Sequence, residues 1–542
     1  MTRKQGNKWF TLAVLAGALA MIVLDGTIVG VSLPAMIQDL GMDLAQAQWV
    51  NSLYSVVLAA LLMTAGRLGD RVGRRRLLAL GVGLFVLGSL SAALATGPGT
   101  LIASRALQGI GGAAVLPSTL SSVNSLFRGR ERAAAFGVWG AVMSGAAAIG
   151  PLAGGAFTTY LDWRWIFWVN LPLGILVILG IWRFVPETTN AAKGGGADLL
   201  GVLLSAVGFG LLVFALIEGP SWGWWIPRSA VDFGPLQWPA DAAISLIPLL
   251  GLAALTSLAA FIGWELRRAR TGKSTLLDLS LFTYPTFTWG NATATMVAMG
   301  EFGLLLVLPL YLINVLGTDP MGAGLILAGM AAGAFLSGAL ARRLAEALGA
   351  DRVVVLGLGM EIVGVAALLL VLGAGAPLLP LVGSLVFYGL GLGLASAQLT
   401  STVLRDIPTE ASGQGSATQS TVRQLGAGFG TAIAGSVLAV ATTHAATTNL
   451  AALALPGLDA GDWARKLSDS AGGLVPLIQH GSAGAAFGPR AAQVAGAMSE
   501  AFTSGVQAAM VAAAIFLAIG WVGSLQVSRA ARRVQLVPAT DH

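Results

Sequence analysis

Apolar runs of roughly twenty residues recur along the whole chain, separated by short polar stretches. As a helix, each run is long enough to cross the ~30 Å hydrocarbon core of a bilayer. The alternating segments of about ten residues that mark a membrane barrel are not seen, so helices are predicted. The pattern places fourteen of them, at 10–33, 47–69, 76–96, 99–122, 134–158, 165–185, 199–218, 242–264, 285–313, 320–342, 352–373, 378–402, 413–442 and 501–525. The expected class is an all-α polytopic membrane protein. The first run is long, carries Asp25 and lacks a small-residue cleavage site, so it reads as a span and not as a signal peptide. Two connections stand out. Residues 219–241 hold Trp222, Trp224, Trp225 and Trp238, which suit an interfacial aromatic belt or a lid. Residues 443–500 are expected as a long extracellular loop, with a short amphipathic segment near Trp463 to Leu467.

Composition agrees with this pattern. The 542 residues are 56% hydrophobic and 10% charged, with mean hydropathy +0.79, whereas soluble domains carry about 25% charged residues. There is no cysteine, which excludes disulfides, thiolate metal sites and a cysteine nucleophile. His444, His480 and His542 are scattered, so no metal is expected. The net charge of +6 is explained by topology. Of the 31 Lys and Arg, 24 fall on one side of the predicted spans and 5 on the other, with Arg105 and Arg423 inside helices. By the positive-inside rule both termini are cytoplasmic, in a plasma (inner) membrane, and nucleic acid is not a partner. A weak repeat relates Gly66-Arg67-Leu68-Gly69-Asp70-Arg71 to Gly338-Ala339-Leu340-Ala341-Arg342-Arg343 at an offset of 272 residues. It suggests two six-helix bundles, 1–190 and 276–542, flanking two inserted transmembrane helices in 191–275. Such parallel halves are a transporter design with the substrate site between them.

Intramembrane ionisable residues are functional candidates, because each costs roughly 2.5–3.5 kcal/mol to insert at mid-bilayer. Asp25 and Arg105 share a depth to within a few Å at ~1.5 Å per residue, so an ion pair is expected. It either switches on protonation or statically orients two helices. Glu301 lies mid-way along its helix, one turn from the repeat equivalent of Asp25, and is expected as a second proton or cation site. Glu361, Arg423 and Gln424 are also mid-helix, and sequence leaves their pairing open. Gly150, Gly154 and Gly155 around Pro151 allow close helix approach and bending, as a gate requires. Enzymatic motifs fail: Gly272-Lys273-Ser274 lacks the earlier glycine of a phosphate loop, where Arg267 stands. With no nucleotide site and no cofactor, transport energy is expected from an ion gradient.

Several motifs in order carry a family resemblance. They are Leu24-Asp25-Gly26-Thr27-Ile28-Val29 with Leu33-Pro34; Gly66 to Arg76; Arg105-Ala106-Leu107-Gln108-Gly109-Ile110-Gly111-Gly112; Gly150-Pro151-Leu152-Ala153-Gly154-Gly155; and Asp162-Trp163-Arg164-Trp165-Ile166-Phe167 with Asn170-Leu171-Pro172. The chain resembles the major facilitator superfamily, within it the fourteen-helix drug:proton antiporters of the QacA/EmrB type, and departs from the first-helix motif at Gly30, where Asn is usual. The resemblance implies proton coupling through Asp25 and Arg105, and an inner-face latch at Gly66, Asp70, Arg71, Gly73 and Arg74. It also implies a role in antiport for the motif around Pro151. The expected function is proton-coupled export of lipophilic, cationic or amphipathic drugs by alternating access, as a functional monomer in contact with membrane lipids. The alternatives are a dedicated exporter of one metabolite, antibiotic or lipid, and a non-transporting sensor. Gln108, Trp49, Phe136, Trp139, Met143, Phe302, Tyr311, Phe387, Arg423 and Gln424 are candidates for the cavity wall, with cation–π support.

Overall fold

The computed structural model describes residues 2–127, 129–188, 198–228, 230–233, 236–273, 275–408, 411–455 and 458–536. It is almost wholly helical. In chain order the helices are α1 (Thr2–Leu40), α2 (Leu44–Val72), α3 (Arg74–Ala93), α4 (Pro98–Leu126), α5 (Gly129–Tyr160), α6 (Trp165–Trp168), α7 (Asn170–Phe184), α8 (Leu199–Trp222), α9 (Leu246–Arg270), α10 (Pro285–Asn314), α11 (Pro320–Leu348), α12 (Ala350–Val371), α13 (Leu378–Val403), α14 (Ser412–Ala452), α15 (Ala460–Asp469), α16 (Leu474–His480) and α17 (Ala491–Leu536). Among the described residues, eleven helices are long and apolar enough to cross a membrane, with α6 and α7 together forming one. α2, α4 and α5 are of similar length, at 29, 29 and 32 residues.

Local chemistry sets the ends. Asp43 and Gln46 form a reciprocal capping box at the start of α2, with Gln46 N–H donating to Asp43 at 2.7 Å. Pro98, Pro285 and Pro320 occupy first turns, where a missing N–H costs nothing. The α2–α3 and α11–α12 connections are each a single glycine at positive φ, Gly73 at 112° and Gly349 at 92°. The weak sequence repeat therefore has a geometric counterpart, because only glycine enters that region without strain.

Helices α1 to α7 pack mainly on one another, as do α10 to α14 with α17. Glycines set the spacing. A β-carbon at Gly111 would lie 2.6 Å from the Gly81 carbonyl, and one at Gly391 would lie 2.5 Å from the Gly357 carbonyl. α8 and α9 pair at the periphery, with only 33% and 22% of their apolar stretches buried against 72% in α10. α8 also bridges the two groups. Val213 and Ile217 pack with Val56 of α2 and Ala432 of α14, and Ser436 donates to the Leu216 carbonyl. At the base of this hairpin, Asp198 caps α8 and accepts from Gly201 N–H at 3.0 Å and Trp264 Nε1 at 2.8 Å. Burial opposes its ionisation, but hydrogen bonds from Glu265, Trp264 and Gly201 and the charge of Arg268 hold the Asp198 carboxyl below its usual range.

Both unusual connections are more ordered than expected. In 219–241 the strands β1 (Val231–Phe233) and β2 (Leu236–Trp238) form an antiparallel hairpin with Asp232 opposite Gln237, and Trp225 and Ile226 are exposed. The span 443–500 is not a loop. α14 has 41 residues and α17 has 46, so at ~1.5 Å per residue both far outreach the hydrocarbon thickness. Their protruding ends, with α15 and α16, enclose a separate apolar core around Leu450, Leu467, Ile478 and Met498.

Candidate functional site

The polar network of the first helix group is built from five helices. Asp25 of α1 and Arg105 of α4 form a direct ion pair, both essentially excluded from solvent. Arg105 Nε donates to the Val50 carbonyl at 3.0 Å, its Nη1 donates to Gln108 Oε1 at 2.8 Å, and its guanidinium lies 4.3 Å from the Tyr54 ring centroid. The second carboxylate oxygen of Asp25 accepts from Gln108 Nε2 at 2.9 Å and from Asn170 Nδ2 at 3.1 Å. Both amides also donate to Ser89 Oγ, at 2.8 and 3.2 Å. Apolar helices bury this set because every charge is paired, and breaking such a pair costs about 3–5 kcal/mol. The ion pair expected from matching depth is present. Gln108, expected on the cavity wall, is fully buried within the network instead, because its amide serves both charged partners. Tyr54 and Ser89 escaped the sequence reading, and Asn170 entered it only as part of a family motif, although each is a polar residue within an apolar run.

The second helix group has its own cluster. Arg423 of α14 approaches Glu301 of α10 at 3.6 Å, one of the pairings that sequence leaves open among Glu301, Glu361 and Arg423. Glu361 of α12 is fully buried, and neither of its carboxyl oxygens has a hydrogen-bond partner among the described residues; the same holds for the hydroxyl of Tyr388 on α13. A partnerless ionised carboxylate is far costlier to bury than a neutral acid, so this site suits a group that carries a proton. Tyr311, another expected wall residue, is buried at the end of α10 with its hydroxyl donating to the Gly373 carbonyl at 2.6 Å, and is packing. Trp49 donates to Glu218 of α8 at 2.9 Å and stacks near Phe214, so it belongs to the α2–α8 contact. Phe302 and Gln424 are partly exposed and Phe387 is 38% exposed. The side chains of Phe136, Trp139 and Met143 lie outside the described residues.

At the basic face, the side chains of Asp70 and Arg71 also lie outside the described residues. The Gly66–Arg76 segment nevertheless has a partner there that sequence missed. Glu187, just beyond α7, accepts from Arg75 N–H at 3.0 Å and lies 3.7 Å from the side chains of Arg75 and Arg76, while Arg74 N–H donates to the Thr188 carbonyl at 3.1 Å. A carboxylate at the N-terminus of α3 satisfies free amides and complements the helix dipole. Glycine at 73 is required by its φ of 112°, and a β-carbon there would also crowd the Glu187 carboxylate at 2.5 Å from Oε1, forcing that side chain to shift. Gly66 packs against Pro117 of α4, and the Arg74 side chain donates to the Ser121 carbonyl at 3.1 Å.

At the opposite face the two helix groups meet. Gly150 and Gly154 of α5 receive α1 at Thr27 and Ile28. Gly155 and Pro151 receive α11: a β-carbon at Gly155 would lie 2.6 Å from the Pro320 carbonyl, and one at Gly324 would lie 2.5 Å from the Pro151 carbonyl. Met321 N–H donates to Thr159 Oγ1 at 2.9 Å, and Ser52 of α2 donates to the Gly428 carbonyl of α14 at 3.3 Å. Of the candidate gate residues, Pro151 and Gly155 thus lie in an inter-group seam, whereas Gly150 and Gly154 pack on α1 within the first group and Gly66 to Arg74 lie at the basic face.

Comparison with known proteins agrees with this architecture. Residues 15–431 match the family model described as Major Facilitator Superfamily. The chain is 34% identical over 444 residues to a probable actinorhodin transporter of Streptomyces coelicolor, covering 80% of this chain and 72% of that one. It is 34% identical over 430 residues to the multidrug resistance protein Stp of Mycobacterium tuberculosis, covering 79% and 75%. Among solved structures, it superposes with TM-score 0.62 at 17% identity on an inward-facing, unoccupied bacterial homolog of the human lysosomal transporter Spinster, covering 97% of this chain and 98% of that one. The Asp25–Arg105 network, the glycine-packed helix groups and the matched segment lead to one assignment: this chain is an integral membrane protein of the Major Facilitator Superfamily.

Proposed function

We propose that the protein is a proton-coupled antiporter that exports lipophilic, amphipathic compounds by alternating access. It would span the plasma membrane fourteen times, α2, α4 and α5 joining the eleven clearly apolar helices, with the basic face and both termini cytoplasmic. The observation that carries this reading is the buried Asp25–Arg105–Gln108–Asn170 network. A proton delivered to Asp25 cancels one charge of the pair, frees Arg105 and changes the balance among α1, α2, α4 and α7. Glu361 and the loosely paired Glu301 are the corresponding carriers in the second group. An ethidium efflux assay in cells tests this. Efflux is expected to collapse with a protonophore and in Asp25→Asn at unchanged expression. Full efflux in that variant overturns the assignment of Asp25.

A preference for cations would require acidic residues that face a cavity. Asp25 and Glu361 are buried and Glu301 is shielded by Arg423, so amphipathic character, more than positive charge, is the supported requirement. A second reading, a dedicated exporter of one antibiotic or metabolite, is favoured by the relative named for actinorhodin. Efflux confined to one compound among a chemically varied panel selects it.

A further inference from the structure

Asn170 is the one member of the Asp25 network left with an unsatisfied group. Its side chain is fully buried, its Nδ2 donates to Asp25 and to Ser89, and its Oδ1 has no hydrogen-bond partner among the described residues. A buried amide carbonyl without a donor is costly, and such exceptions call for a reason. The rest of the network suggests one. Arg105, Gln108 and Asn170 all present donors to Asp25, which suits the ionised carboxylate alone. A neutral Asp25 carries an O–H and needs an acceptor. Gln108 Oε1 already accepts from Arg105 Nη1 and the Val50 carbonyl from Arg105 Nε, so each has one lone pair left. Asn170 Oδ1 has no donor among the described residues, and both of its lone pairs are open to the Asp25 O–H.

We propose that Asn170 is a two-state positioning residue for Asp25, its amide reversing end for end with the Asp25 proton. With Asp25 ionised, Nδ2 donates to the carboxylate, as the structure has it. With Asp25 protonated, rotation about the terminal amide torsion brings Oδ1 to the same place, where it accepts the Asp25 O–H. That torsion is broad and two-fold, so the rotation is inexpensive. Ser89, which now accepts from Nδ2, can turn its hydroxyl and donate to Oδ1 instead. One proton arrives on the carboxylate and no other covalent bond changes, while Asn170 Nδ2 gives up its hydrogen bonds to Asp25 and Ser89. Among the described residues, the charged or titratable groups facing Asp25 are Arg105 from α4 and Tyr54 from α2, while α3 and α7 contribute only Ser89 and Asn170. Because Asn170 opens α7, its reversal gives that helix a contact that differs between the two protonation states.

The inference rests on Asp25 being the proton carrier, and the test separates the two claims. Purified protein in lipid vesicles, with asparagine labelled by carbon-13 at its side-chain carbonyl, is examined by infrared difference spectroscopy between high and low pH. Asp25→Asn identifies the Asp25 acid band, and Asn170→Leu identifies the Asn170 carbonyl band. The expected result is that the Asn170 carbonyl band shifts over the same pH interval in which the Asp25 acid band appears. An Asp25 band that appears while the Asn170 band stays fixed overturns the inference and leaves the proton reading intact. No Asp25 band at any pH overturns both. In proton-driven efflux, Asn170→Leu is expected to slow turnover about tenfold, the scale of one lost hydrogen bond, and Asn170→Ser, which keeps a donor and an acceptor on one atom, to recover most of it. Equal slowing by both variants also counts against the inference.

Discussion

At the scale of single residues, Arg105 is tied into its network from four directions. Its guanidinium reaches Asp25, Gln108 Oε1 and the Val50 carbonyl at once and lies over the Tyr54 ring. A lysine carries the same charge as a compact point and cannot serve these directions together. Arg105→Lys is therefore expected to lose coupled efflux by at least about tenfold, the cost of roughly one good hydrogen bond. A stability measurement separates charge from chemistry. Removing Arg105 alone strands Asp25 in an apolar bundle and is expected to cost about 3–5 kcal/mol, whereas Asp25→Asn with Arg105→Met removes both charges and recovers most of that loss. The double variant should melt near the parent temperature in detergent and still fail to export. If it exports, the pair is only a structural tie. Sequence reached Asp25 and Arg105 because ionisable residues in apolar runs are conspicuous. It did not reach Ser89, and it met Asn170 only within a motif, since neutral polar residues are common in membrane helices and only tertiary contact shows which of them converge on Asp25.

At the scale of elements, α7 joins two sites that sequence treated separately. Its first residue, Asn170, bonds Asp25, and the chain just beyond its last turn supplies Glu187 and Thr188 to the start of α3. Glu187→Ala is expected to destabilise the protein by about 1 kcal/mol, as loss of a helix cap does, with Glu187→Gln milder because it keeps an acceptor. Thermal unfolding monitored by tryptophan fluorescence checks this, and equal melting of both variants with the parent removes Glu187 from the latch. The helices themselves were legible: each predicted span has a helix, since apolar length dictates one in lipid. Their true ends were not. α14 and α17 run beyond the bilayer because their apolar faces continue into the packed core around Leu467 and Met498, which local hydropathy reads as a loop. The α2–α3 turn showed its glycines and arginines in sequence, but Glu187 is more than a hundred residues away and carries no signal of its role.

At the scale of the whole molecule, the central question is what holds the two helix groups together and what must part for transport. In this structure they touch through α5 against α11, α2 against α14 and α1 against α10, with the α5–α11 contact toward the face opposite the basic loop. The contact brings backbone against backbone at Gly155 and Gly324, so few side chains lie between the helices there. Sequence identified the glycines around Pro151 but not their partner, because Pro320 and Met321 lie in the other group and only the fold brings them near. Alternating access requires this seam to separate once per cycle. The chain contains no cysteine, so a pair can be introduced on a clean background. Thr159 and Met321 are bonded across the seam at 2.9 Å. Thr159→Cys with Met321→Cys, oxidised or bridged by a short thiol reagent, is expected to fix the groups in the present arrangement. Efflux should stop in the bridged protein, return on reduction for the oxidised form, and persist in each single variant. Efflux from fully bridged protein would mean that the seam between α5 and α11 stays closed throughout transport, and the moving contact would then have to be sought between α2 and α14.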